Sequence, residues 1–297
     1  MDAKSAVALS IIRLLGLMNL RVARQAGLFI GWLMGATKSR MFKVTKKNIE
    51  LCFPEMPKAE QQALVKASLA ETSKAIAETG IAWGGTDEAF YRNQNLILKV
   101  RNEHLILDAI KKDKGVLLLT LHFGNWEWFA AGVPKYLDNA MALYKMAKMP
   151  ALEKAMLEAR SISGVKLVSG NREGVEKFVE HYTNQNSCII VPDQEPSEKS
   201  GVWAKFFGID ALTPKFIHNL IMKNPEGTVL NTYMKRIEGG FEMAFEAVES
   251  EIYSEDLETS ANAMNKGFEK CIADDLSQYQ WEYKRFKRNA ERYYDGL

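Results

Sequence analysis

Apolar residues fall into two regimes along the 297-residue chain. Up to about residue 80 they recur at helical spacing. Residues 6–24 and 27–35 are strongly apolar stretches interrupted by Arg13, Arg21 and Arg24; 38–51 reads as a helix closing at Cys52-Phe-Pro; 58–80 carries apolar positions at 63, 64, 67, 70 and 77. Beyond residue 116, short continuous apolar runs at 116–121, 140–143, 166–168 and 187–191 alternate with helical patterns at 125–133, 150–163 and 172–185. Two further strands, 228–236 and 240–247, form a hairpin on Gly239-Gly240, and a helix spans about 258–277. Strands alternating with helices predict an α/β fold: a largely parallel mixed sheet flanked by helices, with function at the strand carboxyl ends.

The run Leu119-Thr-Leu-His-Phe-Gly-Asn-Trp-Glu127 stands at the end of the first of these strands. It separates His122 from Glu127 by four residues. On a continuous helix the two side chains would point about 140° apart, so they meet only if His122 sits in the strand-to-helix turn and Glu127 in the helix's first turn. Gly124 gives the turn its freedom, Asn125 is the expected N-cap, and Glu127 suits the helix dipole. In this arrangement Glu127 fixes one imidazole nitrogen and leaves the other to take a proton. Neither a Gly-x-Ser-x-Gly elbow nor a nearby cysteine supplies a nucleophile, so the base activates a substrate hydroxyl; the plainer alternative is a structural histidine capped by an acid. The strand-end rule also brings Lys145, Asp193 and Gln194 to the same crevice.

Composition sharpens the picture at the N-terminus. The net charge of +2 hides a net +7 over residues 1–58, ten Lys and Arg against three acids, in the most apolar part of the chain. Arg13, Arg21 and Arg24 interrupt any span of about 20 apolar residues and share one helical face, which predicts an interfacial helix with arginines at phosphate depth. The alternative is a core helix with snorkelling arginines. The basic excess favours a membrane surface over nucleic acid, for which no motif is present. The division expected is 1–37 as a membrane-associated helical segment and 38–297 as a single α/β domain. Cys52, Cys188 and Cys271 are widely spaced and read as buried thiols, with no metal-spaced set.

Several blocks in order, Asn48-Ile-Glu-Leu-Cys-Phe-Pro-Glu55, Leu121-His-Phe-Gly-Asn-Trp-Glu127, Arg160 before Gly164, Val191-Pro-Asp-Gln194, Phe206-Phe-Gly208 and Thr213, resemble the late acyltransferases of lipid A biosynthesis, part of a wider lysophospholipid acyltransferase superfamily sharing a His-x4-Asp/Glu core. The resemblance implies transfer of a fatty acyl chain from acyl carrier protein to the hydroxyl of a 3-hydroxyacyl chain on a lipid A precursor, at the cytoplasmic face of the inner membrane. His122 would be the general base and Glu127 its orienter, with no covalent acyl-enzyme; Asn125, Arg160, Asp193 and Lys145 are the expected substrate contacts. No cofactor or metal is expected, and the partners are acyl carrier protein, an anionic glycolipid and the membrane surface, with the protein a monomer. The tail departs from the family pattern Trp-x-His-Arg-Arg-Phe-Lys, carrying Tyr283 in Trp281-Glu-Tyr-Lys-Arg-Phe-Lys287 where the histidine stands. Transfer to another glycolipid or lysophospholipid, hydrolysis of a thioester or lipid ester by the same pair, and a catalytically silent membrane module are the alternatives. Lys148, Arg172 and the 284–288 cluster are further candidates for binding phosphates or acidic partners.

Overall fold

The computed structural model describes residues 3–146 and 149–297, so Lys148 lies outside the described residues. Four helices open the chain: α1 (Ala3–Gly16), α2 (Leu20–Ala36), α3 (Arg40–Cys52) and α4 (Lys58–Ala82). Then come α5 (Asp87–Asn95), β1 (Ile97–Arg101), α6 (Glu103–Lys111), β2 (Val116–Gly124), the short α7 (Phe129–Gly132), β3 (Met141–Tyr144), α8 (Pro150–Ser161), β4 (Lys166–Ser169), α9 (Arg172–Thr183) and β5 (Cys188–Ile190). A separate antiparallel pair, β6 (Gly201–Phe206) and β7 (Ile209–Pro214), precedes α10 (Phe216–Ile221), β8 (Thr228–Ile237), β9 (Gly240–Ala247) and α11 (Leu257–Ala273).

Seven strands form one sheet in the order β1-β9-β8-β2-β5-β3-β4. The five from β8 to β4 are mutually parallel; β9 runs antiparallel to β8 across the hairpin, and β1 follows β9. The α/β class and its mostly parallel sheet are as expected, and the hairpin turns on a two-residue loop with Gly239 at φ +75°. β2 is central and buried along most of its length, which is why its sequence is apolar without alternation. The short strand β1, the β6/β7 pair and the helices α5, α6 and α10 carry too few apolar repeats to stand out in the sequence. Helix 125–133 is also not one helix: residues 126–128 form a 3₁₀ turn before α7.

The N-terminal apolar segment is two helices, broken at residues 17–19, where the Asn19 side chain accepts from the Val22 N–H at 2.9 Å and caps α2. α2 lies against α4 at close range, because Gly27 and Gly31 face it: a Cβ on Gly27 would come within 2.6 Å of Lys74 Cα, and one on Gly31 within 2.8 Å of Ala70 Cα. Arg24, expected at the lipid face with Arg13 and Arg21, points inward instead. Its Nε donates to Glu78 at 2.7 Å, and its Nη1 and Nη2 donate to the carbonyls of Ile237 and Gly240. A buried carboxylate and two strand-end carbonyls attract this guanidinium more strongly than water does. Among the described residues no helix is long and apolar enough to cross a membrane. α1 nevertheless exposes Val7, Ile11 and Leu14, the break after it exposes Leu17, and α2 exposes Phe29 and Trp32.

Because α2 covers α4 and supplies a cation to Glu78, deletion of residues 1–36 is expected to cost the protein its cooperative fold rather than merely release it from lipid. Circular dichroism and thermal unfolding of the truncated chain check this. A native-like melting transition would show that the segment is dispensable to the fold.

Candidate active site

Parallel pairing of β2 with β5 places Leu119 opposite Ile190. Three residues further along both chains, His122 and Asp193 come level at the carboxyl edge of the sheet. There the Asp193 carboxylate holds His122 twice, accepting from the backbone N–H at 3.0 Å and from ring Nδ1 at 2.7 Å. Asp193 is buried and His122 is about one-fifth exposed at its side chain. Burial pushes the Asp193 carboxyl upward, but the charge and hydrogen bonds of His122 outweigh it and hold the carboxyl below its ordinary value. An ionised carboxylate only accepts, so Nδ1 carries a proton, and in the neutral imidazole the lone pair lies on Nε2. Gln194 Nε2 stands 3.4 Å from that nitrogen, and Trp126 sets its ring edge-on at 4.8 Å from the imidazole centre.

Glu127 is therefore not the group that orients His122. Its carboxylate takes both oxygens to Arg160, with Nη2 donating at 2.8 and 3.0 Å and Nε at 3.2 Å, and it accepts from Trp83 Nε1 at 2.8 Å. The reason is electrostatic. A buried carboxylate is stabilised most by a guanidinium that bridges it in two places, and the 3₁₀ turn brings Glu127 to the end of α8, where Arg160 lies. Burial raises the Glu127 carboxyl and the Arg160 charge more than reverses this, so Glu127 is ionised.

Gly124 is required at its position. Its φ is +57°, and a Cβ there would fall 1.9 Å from the Met234 carbonyl oxygen. Asn125, expected to contact substrate, is instead buried and fully used within the fold: its N–H donates to Met234 O, its Oδ1 accepts from the Glu127 N–H at 3.2 Å, and its Nδ2 donates to Glu78 at 2.9 Å. Glu78 in turn joins Arg24 and Arg236, and Arg236 Nη2 reaches the Gly124 carbonyl at 3.3 Å. This buried network is not reached by the sequence reading, although an acid within the apolar end of α4, residues 75–82, and an arginine inside a strand are its signals.

Lys145, just past β3, is exposed on the rim of a neighbouring basin, and Arg172 is exposed and paired with Glu176. Tyr283, in the place of the family's histidine, accepts from the Glu195 N–H at 3.0 Å through its hydroxyl. All three cysteines are buried and free, as their apolar surroundings led one to expect. Beside the His122 pair runs a narrow cleft of about 90 Å³ with Trp126, Phe129, Leu143, Val165 and Ile189 on its walls and Glu127 and Arg160 as its charged members. The buried Thr120 hydroxyl, also on that wall, has no partner among the described residues.

Next to the site, Glu282 is held by Thr72 Oγ1 at 2.9 Å and Ser68 Oγ at 3.4 Å, and burial raises its carboxyl from 4.5 to about 7. A raised folded-state value means the native protein binds this proton more tightly than the unfolded chain, so stability declines as pH rises from about 4.5 to about 7. Glu282→Gln is expected to flatten that slope and to stabilise the protein at pH 8 by at most about 3 kcal/mol. Denaturant unfolding at pH 5 and pH 8 reads the difference; equal slopes for both proteins would refute it.

A carboxylate–imidazole pair at the carboxyl edge of a parallel sheet, beside an apolar cleft, is an arrangement chemically able to take up a proton in an α/β fold. Comparison with known proteins makes the class specific. The family model described as bacterial lipid A biosynthesis acyltransferase matches residues 4–288, and the chain belongs to that family as an acyltransferase. It is 25% identical over 275 residues to a lipid A biosynthesis acyltransferase of Haemophilus influenzae, covering 91% of this chain and 86% of that one. With the lipid A biosynthesis lauroyltransferase of Escherichia coli it shares 26% identity over 284 residues, 91% and 87% of the two chains. With the palmitoleoyltransferase of the same organism it shares 24% over 264 residues, 87% and 84%.

Proposed function

We propose that the protein transfers a fatty acyl group from acyl carrier protein to the hydroxyl of a 3-hydroxyacyl chain on a lipid A precursor, with His122 as general base. The observation that carries this is the 2.7 Å contact from His122 Nδ1 to a buried, ionised Asp193, which leaves Nε2 as the acceptor. Nε2 takes the hydroxyl proton, the oxygen attacks the thioester carbonyl, and the tetrahedral intermediate collapses with loss of the thiolate, which recovers the proton from the imidazolium. Because a thioester is already activated, the step calls for no cofactor or metal. Glu127 holds Arg160 by Nε and Nη2, leaving Nη1 uncommitted to that carboxylate and suited to the developing oxyanion. The apolar cleft suits the acyl chain.

The exposed apolar stripes of α1 and α2, with Arg13 and Arg21, suit adsorption to the anionic cytoplasmic face of the inner membrane. Arg24 belongs to the fold and takes no part in it.

Two experiments separate the readings. Incubation of purified protein in detergent with lauroyl- or myristoyl-acyl carrier protein and a Kdo-bearing lipid A precursor should add acyl mass to the acceptor. Free fatty acid without acylated acceptor would favour hydrolysis. Glu127→Gln should lower kcat by about 10²-fold, the scale of losing one positioned oxyanion donor, because the neutral amide no longer anchors Arg160. An unchanged kcat would remove Arg160 from the mechanism.

A further inference from the structure

Beside the His122 pair lies a second, open basin of about 570 Å³, built from four separate stretches: the start of α3, the segment after β3, the segment after β5 and the C-terminal tail. Five cations face it, Arg40, Lys145, Lys284, Lys287 and Arg288, against two acids. One acid, Glu195, is paired with Arg288 at 2.8 Å, and the other, Glu282, is turned to Thr72 and Ser68 and its carboxyl is raised by burial to about 7. Lys284 donates to the Leu297 carbonyl. Among the described residues the side chains of Arg40, Lys145 and Lys287 have no hydrogen-bond or ion-pair partner. The basin thus gathers uncompensated positive charge that neither the fold nor the proposed acid–base step uses.

It is also joined to the chemistry. Asp193, which holds the imidazole, is two residues from Glu195 in the basin wall, and the Tyr283 hydroxyl accepts from the Glu195 N–H. Gln280 donates its N–H to the His122 carbonyl at 2.9 Å, so the tail segment 280–288 borders the imidazole at one end and the basin at the other. A concavity of about 570 Å³ is in the range of small-ligand sites. Lysine and arginine converging on a cavity from several chain segments match the oxygens of a phosphate, which accept several charge-assisted bonds at once.

We propose that this basin is a phosphate subsite, in which a phosphoester carried by one of the two substrates seats against Arg40, Lys145 and Lys287 while the reacting group lies at His122 Nε2. The assignment rests on the acyl-transfer function proposed above. Two sources have the same chemistry: a sugar phosphate on the glycolipid acceptor, and the phosphodiester of the phosphopantetheine arm through which a carrier protein holds its thioester.

Binding without turnover tests the subsite apart from the reaction. Calorimetric titration of the full chain, and of His122→Ala, with glucose 1,6-bisphosphate and with 4′-phosphopantetheine should show saturable, salt-sensitive binding of one probe. The Arg40→Gln/Lys287→Gln double variant, whose changes are exposed and whose melting temperature is checked alongside, should bind that probe at least tenfold more weakly. The KM for the corresponding substrate should rise by a similar factor with kcat within threefold of wild type. Preference for the sugar bisphosphate assigns the basin to the acceptor; preference for phosphopantetheine assigns it to the donor. Failure of both probes to bind, or equal binding by the double variant, overturns the subsite. Probe binding together with no acyl transfer to any acceptor would instead overturn the reaction and leave the subsite standing.

Discussion

His122→Ala is expected to lower acyl transfer by about 10²–10⁴-fold, the usual contribution of a positioned general base, with the fold intact. The side chain is partly exposed, and the buried Asp193 keeps the backbone N–H of residue 122 after its loss, so the protein should stay folded and soluble with a lowered melting temperature. Asp193→Asn makes a sharper test. The amide keeps the size of the carboxylate, but its nitrogen can donate to Nδ1, which favours the tautomer with the proton on Nε2 and removes the base. Activity should fall nearly as far as in His122→Ala, and the two changes combined should cost little more than either alone, because they disable one unit. If Asp193→Asn were near normal while Glu127→Gln was inactive, the imidazole would be served by Glu127 during turnover and the pairing described above would not be the catalytic one. Equal mild losses in all three variants would place the proton transfer elsewhere.

The second large effect is structural. Glu78 is fully buried and balances two guanidinia, Arg236 from β8 and Arg24 from α2, while also holding the Asn125 amide. Burial raises its carboxyl, but the two arginines more than reverse this and keep it below the ordinary carboxylate value. Its stabilisation is therefore present above that ordinary value and disappears as pH falls through the folded-state value. Glu78→Ala leaves Arg236, itself buried, with only Glu71 and the Gly124 carbonyl. Removal of one member of a buried ion pair costs about 3–5 kcal/mol, which for a chain of this size is a loss of about 5–8 °C in melting temperature. Because total stability is itself about 5–15 kcal/mol, partial insolubility at 37 °C should accompany it. A melting temperature within about 2 °C of wild type would mean that the network carries little of the fold.

Glu78 also links α2 to the site. The chain of contacts runs from α2 through Arg24 to Glu78, from Glu78 to Asn125, and from Asn125 to the Glu127 N–H. Glu78→Gln keeps an oxygen for some of these bonds and should destabilise less than Glu78→Ala.

Much of this was legible in the chain. The uninterrupted apolar run of β2 could only be an interior strand, since burial on both faces removes any reason for alternation. The alternation of such runs with helices implies a mostly parallel sheet, and the strand-end rule predicts one crevice for His122, Lys145, Asp193 and Gln194, of which His122, Asp193 and Gln194 meet at one edge while Lys145 lines the neighbouring basin. The apolar N-terminal segment and its basic excess were equally plain. What escaped was pairing. Glu127 is near His122 in sequence and Asp193 is 71 residues away, yet the parallel register of β2 and β5 decides which carboxylate reaches Nδ1. Local spacing says how far a side chain can reach, not what competes for it, and Arg160 from α8 wins Glu127 because two-point contact with a guanidinium is the stronger interaction for a buried carboxylate. Arg24 follows the same logic: helical periodicity put it on a face with Arg13 and Arg21, and only the arrival of α4 and β8 revealed a buried acid beneath it. The sequence by itself thus determined the class of fold, the imidazole proposed as the base and the strand end that carries it. Tertiary structure alone decided which ionised groups satisfy one another, because that choice depends on distances between segments that no local pattern encodes.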